Sequence, residues 1–143
     1  MRLGFYSELA RKDIVGVRNL ISKESIGSSS KEIRDYRQRI VGLKGIEDYG
    51  FATSSLDFFS TSACRDLLFH VQEHRMNLKV ITDFFSDHNL NFLGFDIDSS
   101  VIRAYKNRFP NDPSAANLDQ WRIYEEENPD TFRGMYQFWI QKK

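Results

Sequence analysis

The chain has 143 residues and a formal net charge of zero, and 41% of its residues are hydrophobic. This balance excludes a strongly basic protein, so we expect neither a nucleic-acid partner nor a polybasic membrane anchor. Cys64 is the single cysteine, so an internal disulfide is excluded. No apolar run approaches the roughly 20 residues of a membrane span. We therefore expect a cytoplasmic globular protein.

The opening segment from Leu3 to Tyr6 is predicted to form a short strand. Ser7 has the side chain of a helix cap, and Glu8 would then lie in the first turn, which favours acidic residues. The apolar positions of the helix that follows recur at helical spacing. They are Ala10, Ile14, Val17 and Ile21.

A second helix is predicted to begin at Ser29, because Glu32 stands three residues later, as a capping box requires. Its apolar face consists of Ile33, Tyr36, Ile40 and Leu43. Residues 44–66 have few apolar periodicities and many small polar residues, so we predict a long loop or lid. Leu67 to Val71 are predicted to be a strand or extended segment.

The next helix is predicted to start after Asn77, with an apolar face of Leu78, Ile81, Phe84 and Phe85. Asn89 is a residue type that ends helices in the left-handed conformation. The segment from Asn91 to Ile97 then has the pattern of a buried strand, and Gly94 within it indicates close backbone packing.

Two short helices and a strand are predicted to complete the chain. The first helix ends before Pro110, and the second begins after Asn117. Apolar and polar side chains alternate from Met135 to Ile140, which is typical of a strand. The order of these elements predicts an α/β fold.

The opening strand presents a physical difficulty. Leu3 to Tyr6 are too apolar for an exposed edge, and such a strand normally has neighbours on both sides. The later strands can cover one side. We therefore expect another strand, chain or domain to cover the other side.

Several segments resemble bacterial class I S-adenosylmethionine-dependent methyltransferases of the type that follows tetratricopeptide repeats. The distinctive segment is residues 57–75, DFFSTSACRDLLFHVQEHR. Residues 1–11 resemble the fifth strand of that family and the turn after it. Residues 90–95 and 128–139 continue the likeness, which covers nearly the whole chain.

The resemblance implies a single domain, residues 1–143, that is the C-terminal region of such an enzyme. Its fold would be a partial α/β fold, an incomplete Rossmann-like sheet of about three strands with helices packed on it. Met135 to Ile140 would lie antiparallel in the centre, between Leu3–Tyr6 and Asn91–Ile97.

The family's cofactor-binding half has no counterpart in this chain. The eight glycines are scattered and form no Gly-rich turn of the kind that holds a nucleotide cofactor. S-adenosylmethionine is therefore expected in the complete enzyme and not on this chain alone. The expected partner is the missing N-terminal half or a second copy of the chain.

The candidate site residues follow from the same interpretation. His70 or His74 would act as the base that takes a proton from an oxygen or nitrogen acceptor. The candidate substrate-binding residues are Tyr6, Ser7, Arg65 and Glu73. Alternatively, the two histidines are a structural pair, and Ser7 serves only as a helix cap.

Two other functions are consistent with the sequence. The chain can be a non-catalytic oligomerisation or partner-binding module, because its first strand needs a neighbour. It can also be a zinc-dependent hydrolase, because His70-x-x-Glu73-His74 matches an inverted zinc-protease pattern. In that case both histidines would share a helix face, and Glu125, Glu126 or Glu127 would supply a third ligand.

Overall fold

The computed structural model of the chain describes residues 1–42, 50, 53, 55–69 and 72–143. These residues form two compact units. Unit 1 consists of Met1–Arg11 and His74–Lys143, and unit 2 consists of Lys12–Glu73. The single domain expected over residues 1–143 stays a prediction. In the described ranges, no helix has the length and apolar character needed to cross a bilayer.

Helices and strands alternate along much of the described chain, which confirms the predicted α/β class. The helices are α1 (Lys12–Lys23), α2 (Ser30–Gly42), α3 (Leu56–Phe59), α4 (Thr61–Cys64), α5 (Leu78–Asp87), α6 (Ser99–Arg108) and α7 (Leu118–Glu127). The strands are β1 (Arg2–Ser7), β2 (Arg75–Met76), β3 (Leu90–Phe95) and β4 (Tyr136–Lys142).

Unit 1 contains a mixed sheet with the strand order β2-β1-β4-β3. The strands β1 and β2 are parallel, whereas β4 runs antiparallel to both β1 and β3. The prediction that the final strand inserts between the first strand and Asn91–Ile97 is therefore confirmed. The expected number of about three strands is wrong, because the two-residue strand β2 adds a fourth in the described part of the chain.

One face of this sheet packs against helices. Alternation along β4 buries Tyr136, Phe138 and Ile140 and leaves Trp139 exposed. The buried face joins side chains of α5, α6 and α7 in one apolar cluster. In that cluster the rings of Tyr105 and Trp121 stack with their centroids 3.9 Å apart, so aromatic packing accounts for much of the unit 1 core.

A bulge in β3 explains the glycine within that strand. Phe92 pairs with Ile140 and Gly94 pairs with Trp139, so Leu93 is the extra residue. Gly94 has φ of 136°, a conformation that side chains with a Cβ rarely adopt. The bulge keeps both Phe92 and Phe95 in the apolar cluster on the buried face.

The predicted helix boundaries in unit 1 agree with the observed capping contacts. Asn77 Oδ1 accepts a hydrogen bond from the Val80 amide at 3.0 Å, and Asn117 Oδ1 accepts one from the Asp119 amide at 3.0 Å. Asn89 has φ of 51°, which confirms its predicted left-handed conformation. One detail differs, because Phe84, predicted on the buried face of α5, is exposed.

Unit 2 has its own apolar core, formed by one face each of α1 and α2 together with α3, α4 and the segment after them. The predicted capping box of α2 is confirmed, since the Ser29 amide donates to Glu32 and the Glu32 amide donates to Ser29 Oγ. Cys64 is fully buried in this core. Burial raises the pKa of its thiol, although the positive charge of Arg37 opposes this.

Two sequence predictions in unit 2 differ from the structure. Within the predicted loop or lid of residues 44–66, α3 and α4 are short helices, capped by the hydroxyls of Ser55 and Ser60. Residues 44–49, 51, 52 and 54 lie outside the described residues, and the function of this segment as a lid stays a prediction. The expected strand or extended segment at Leu67–Val71 is wrong at its start, because Arg65–Phe69 form a π-helical turn. Val71 is outside the described residues.

The loop between α6 and α7 is organised by the buried carboxylate of Asp112. It accepts hydrogen bonds from the Tyr105 hydroxyl at 2.7 Å, the Asn117 amide at 2.9 Å and the Ser114 hydroxyl at 2.8 Å. Burial by itself raises the pKa of Asp112, but these donors and the Ala116 amide outweigh burial and hold the pKa below its ordinary value of 3.8.

We predict that Asp112→Ala destabilises the protein by about 1–3 kcal/mol, because four donors lose their acceptor and two of them are backbone amides. Because the folded-state pKa is lowered, the Asp112 contribution is present above pH 3.8 and is lost as the pH falls through the folded-state value. Urea denaturation at neutral and acidic pH measures both effects. The control is Asn111→Ala, an exposed position in the same loop; equal stability of the two variants would contradict the prediction.

Candidate functional site

The carboxyl end of β1 brings together the polar side chains that are the best candidates for a functional site in unit 1. Since β1 and β2 are parallel, both end at the same edge of the sheet, where ligands of open α/β sheets usually bind. The antiparallel strand β4 begins at this edge, with Tyr136 paired to Phe5. Ser7 at the end of β1 and Tyr136 at the start of β4 are therefore neighbours.

A buried network joins these two residues to α7. The Ser7 hydroxyl donates to Glu125 Oε1 at 2.5 Å, and the Tyr136 hydroxyl lies 2.8 and 2.7 Å from the two carboxylate oxygens. The exposed fractions of Ser7, Glu125 and Tyr136 are 1%, 4% and 0%. The network thus connects the end of β1, the start of β4 and the last turn of α7 out of contact with solvent.

The network perturbs the ionisation of its members. Burial raises the pKa of Glu125, the hydrogen bonds from Ser7 and Tyr136 oppose this change, and the negative charge of Glu126 adds to it. Burial and the Glu125 charge also raise the pKa of the Tyr136 phenol. Tyr136 therefore stays protonated near neutral pH and remains a hydrogen-bond donor to the carboxyl group.

Ser7 has a different local function from the one predicted. Its hydroxyl accepts a hydrogen bond from the Ala10 amide at 3.1 Å, and its carbonyl accepts one from the Arg11 amide at 3.1 Å. These bonds hold a turn over residues 8–11, and α1 begins only at Lys12. The prediction that Ser7 caps α1 is therefore wrong, because its hydroxyl instead binds the Ala10 amide in the turn and donates to Glu125.

The exposed part of the same edge is formed by Glu8 and Asn77. Asn77 Nδ2 donates to Glu8 Oε2 at 2.9 Å, and the Glu8 amide donates to the Met76 carbonyl at 2.9 Å. Nearby, the guanidinium carbon of Arg11 lies 3.9 Å from the centre of the Tyr6 ring. Tyr6 and Ser7, both predicted to bind substrate, are thus fixed in place next to a carboxylate that faces solvent.

The other predicted site residues do not join this edge. Glu73 forms an ion pair with Arg18 at 3.0 Å inside unit 2, and Arg65 donates to the Ser28 carbonyl at 3.1 Å in the same unit. His74 belongs to unit 1 and is an exposed residue directly before β2. His70 lies outside the described residues. Binding roles for Arg65 and Glu73 stay predictions.

The zinc-protease pattern lacks the local geometry that the sequence interpretation assumed. Residues 72–74 form neither a helix nor a strand, so His74 is not on a helix face with the rest of the pattern. In the described part of the chain, no group of three or more His, Cys, Asp or Glu side chains could hold a metal ion. Glu125, considered as a third ligand, is instead buried against Ser7 and Tyr136.

The residues at the carboxyl edge do not fit S-adenosylmethionine in the manner of the methyltransferase family. Close approach of a nucleotide cofactor to backbone amides needs glycines in the turn after a strand. Here the turn is Glu8-Leu9-Ala10-Arg11, and every residue in it has a Cβ. Arg11 is buried against Tyr6, so the turn offers no Gly-lined cradle.

Sequence reasoning missed Glu125 and Tyr136 as the partners of Ser7. A signal was present, because Glu125 follows Leu118 by seven residues and Trp121 by four, which places a carboxylate on the buried stripe of α7.

A scan against protein-family models and a search of curated proteins gave no match to this chain. The site is therefore interpreted from its own geometry.

We predict that Glu125→Gln changes how stability depends on pH. The folded-state pKa of Glu125 is raised above 4.5, so its stabilising effect is complete below pH 4.5 and is lost as the pH rises through the folded-state value. That loss amounts to about 1.4 kcal/mol for each pH unit that separates the folded-state and unfolded-state pKa values. The glutamine has no proton to lose, so the decline should disappear.

Urea denaturation from about pH 4 to about pH 8 measures this effect, because the range begins near the ordinary glutamate pKa and extends well above it. The matched control is Glu127→Gln, which alters an exposed carboxylate paired with Arg108 and should leave the decline in place. An identical pH profile for Glu125→Gln and the unmodified protein would show that Glu125 does not titrate differently on folding.

Proposed function

We propose that this chain is the C-terminal, acceptor-side portion of an S-adenosylmethionine-dependent methyltransferase whose cofactor is held by another part of the enzyme. The observation that carries the proposal is the placement of the antiparallel strand β4 between β1 and β3. The family resemblance implies this unusual strand order. The sheet geometry supports the resemblance, because the segments that suggested it pair in the order that the resemblance implies.

The outer edge of β1 gives further support. On the side away from β4, β2 pairs only with Tyr6 and Ser7. Among the described residues, Arg2 to Phe5 have no strand partner on that side. An edge with unpaired backbone groups next to apolar Leu3 and Phe5 favours an additional strand from another segment or chain. The proposal assigns that strand to the part of the enzyme that holds the cofactor.

This chain would contribute acceptor positioning. The buried Ser7–Glu125–Tyr136 network would hold the carboxyl end of β1 rigid. Glu8, Asn77 and Tyr6 would then contact the acceptor from fixed positions. When the acceptor atom is oxygen or nitrogen, a base must take its proton, and His74 and His70 stay the candidates, since His74 lies two residues before Met76, whose carbonyl binds the Glu8 amide at this edge. The cofactor would supply the electrophilic methyl group when it is bound by the other half.

We predict that the isolated 143-residue chain gives no saturable heat with S-adenosylmethionine in calorimetry, because its sequence contains no Gly-rich turn of the kind that holds a nucleotide cofactor. We also predict that the polypeptide encoded with the in-frame upstream DNA binds the cofactor.

In that longer protein, the double variant His70→Ala/His74→Ala should lower turnover at least about tenfold while the affinity for the cofactor stays unchanged.

The control in the longer protein is His88→Ala, which alters the one other histidine, an exposed residue at the end of α5. Specific binding of S-adenosylmethionine by the isolated chain would contradict the division into two halves. If the upstream reading frame encoded no β-strand followed by a Gly-rich turn, this result would contradict the methyltransferase assignment itself.

A non-catalytic assembly module is the second candidate, and the exposed sheet surface favours it. Trp139 and Leu93 are 48% and 53% exposed, which is high for large apolar side chains. Together with the open edge of β1, they offer a surface for a second copy or a partner domain. Analytical ultracentrifugation tests the self-assembly form of this candidate, because a monomer at all accessible concentrations would contradict it.

A further inference from the structure

A pocket in unit 2 combines an apolar floor with a cationic rim. Its volume is about 440 Å³, within the range that small organic ligands occupy. The described residues that line it are Arg34, Arg37, Gln38, Val41, Phe58 and Phe59. All belong to α2 and α3, and the four from α2 follow the i, i+3, i+4, i+7 spacing of one helix face.

The apolar part of the pocket is incompletely covered. Phe58 is buried, and its ring meets that of Phe59 at an interplanar angle of 87°. Val41 and Phe59, however, are 67% and 60% exposed. Exposed apolar side chains beside a concave surface favour an occupant that covers them.

One of the two guanidinium groups in the pocket, that of Arg37, is held in position by a hydrogen bond and a ring contact. Arg37 Nη2 donates to the Phe59 carbonyl at 2.7 Å, and its guanidinium carbon lies 5.7 Å from the centre of the Phe58 ring. Arg34 stands one helical turn before Arg37 on the same face. None of the described lining residues is acidic. The pocket therefore presents two guanidinium groups without a carboxylate among those residues, which favours an anionic ligand.

We propose that this pocket binds a small organic anion. Its carboxylate or phosphate would pair with Arg34 and Arg37, and its flat apolar body would lie on the exposed side chains of Phe59 and Val41. Guanidinium groups suit both anions because each offers a planar pair of donors. This site is independent of the proposed methyl transfer, since it involves neither the carboxyl edge of β1 nor the two histidines.

Calorimetry on the 143-residue chain with naphthoate, naphthyl phosphate, naphthylmethylamine and inorganic phosphate tests the proposal. We expect saturable binding of one or both naphthyl anions at one site per chain. The amine tests the need for negative charge, and inorganic phosphate tests the need for an apolar body. Equal affinity for the amine, or for phosphate alone, would overturn the proposal.

Two variants locate the site. Arg34→Glu reverses one charge, and Val41→Glu introduces a carboxylate at a largely exposed position that tolerates substitution. Each should weaken binding of the naphthyl anions at least about tenfold, whereas Arg34→Lys, which keeps the charge but loses the planar pair of donors, should weaken binding less than Arg34→Glu does. Arg103→Glu, an exposed arginine on α6 in unit 1, is the matched control and should bind normally.

Circular dichroism and urea denaturation would establish that each variant is folded. If Arg34→Glu were unfolded, Val41→Glu would still decide the question, because it leaves both arginines in place. Undiminished binding by folded Val41→Glu, or absence of binding by the unmodified chain, would overturn the proposal. Neither result would bear on methyl transfer, which has its own test in the longer protein.

Discussion

The geometry of unit 1 depends most directly on the hydrogen bonds that the buried carboxyl group of Glu125 forms with Ser7 and Tyr136. A carboxylate removed from water has a large desolvation cost, so its position is fixed by the donors that compensate it. Those donors are the hydroxyls of Ser7 and Tyr136. Because they come from β1 and β4, and the carboxylate comes from α7, one buried group determines how the helix meets two neighbouring strands of opposite direction.

Contacts between aromatic rings connect the strands and helices in the rest of unit 1. Phe138 in the central strand contacts the rings of Phe5, Phe85 and Phe95, which come from β1, α5 and β3. A strand in the middle of a sheet needs side chains that match neighbours on both sides. The sequence has twelve phenylalanines, and seven of them lie in or against this interior, whereas Phe59 and Phe84 are exposed.

The two proposals assign different chemical tasks to the two units. The carboxyl edge of β1 offers rigidity and polar groups, which suits the positioning of an acceptor in a methyl-transfer enzyme. The pocket between α2 and α3 offers two guanidinium groups beside apolar side chains, which suits the proposed organic anion. These proposals concern different residues and can fail separately. Among the described residues, the outer edge of β1 is only partly paired, and this is the reason for proposing that another segment or chain extends the sheet.

Much of the local structure was determined by the sequence itself. Caps at Asn77 and Asn117, the capping box of Ser29 and Glu32, and the alternation along β4 act over a few residues, so their patterns are visible without a fold. The central position of β4 was available only through the family resemblance. The caps and the alternation each depend on a short segment, whereas the position of β4 was predicted from the strand order of a known family.

Only the tertiary structure decided the partners of Ser7 and the conformation of the segment after Cys64. Ser7 and Glu125 are separated by 118 positions, and no local pattern reports which distant hydroxyl a buried carboxylate will meet. Residues 65–69 have the apolar content of a strand, but packing of Leu67 and Leu68 into the unit 2 core favours a π-helical turn. Both outcomes depend on which groups burial brings together, and that information is spread over the whole chain.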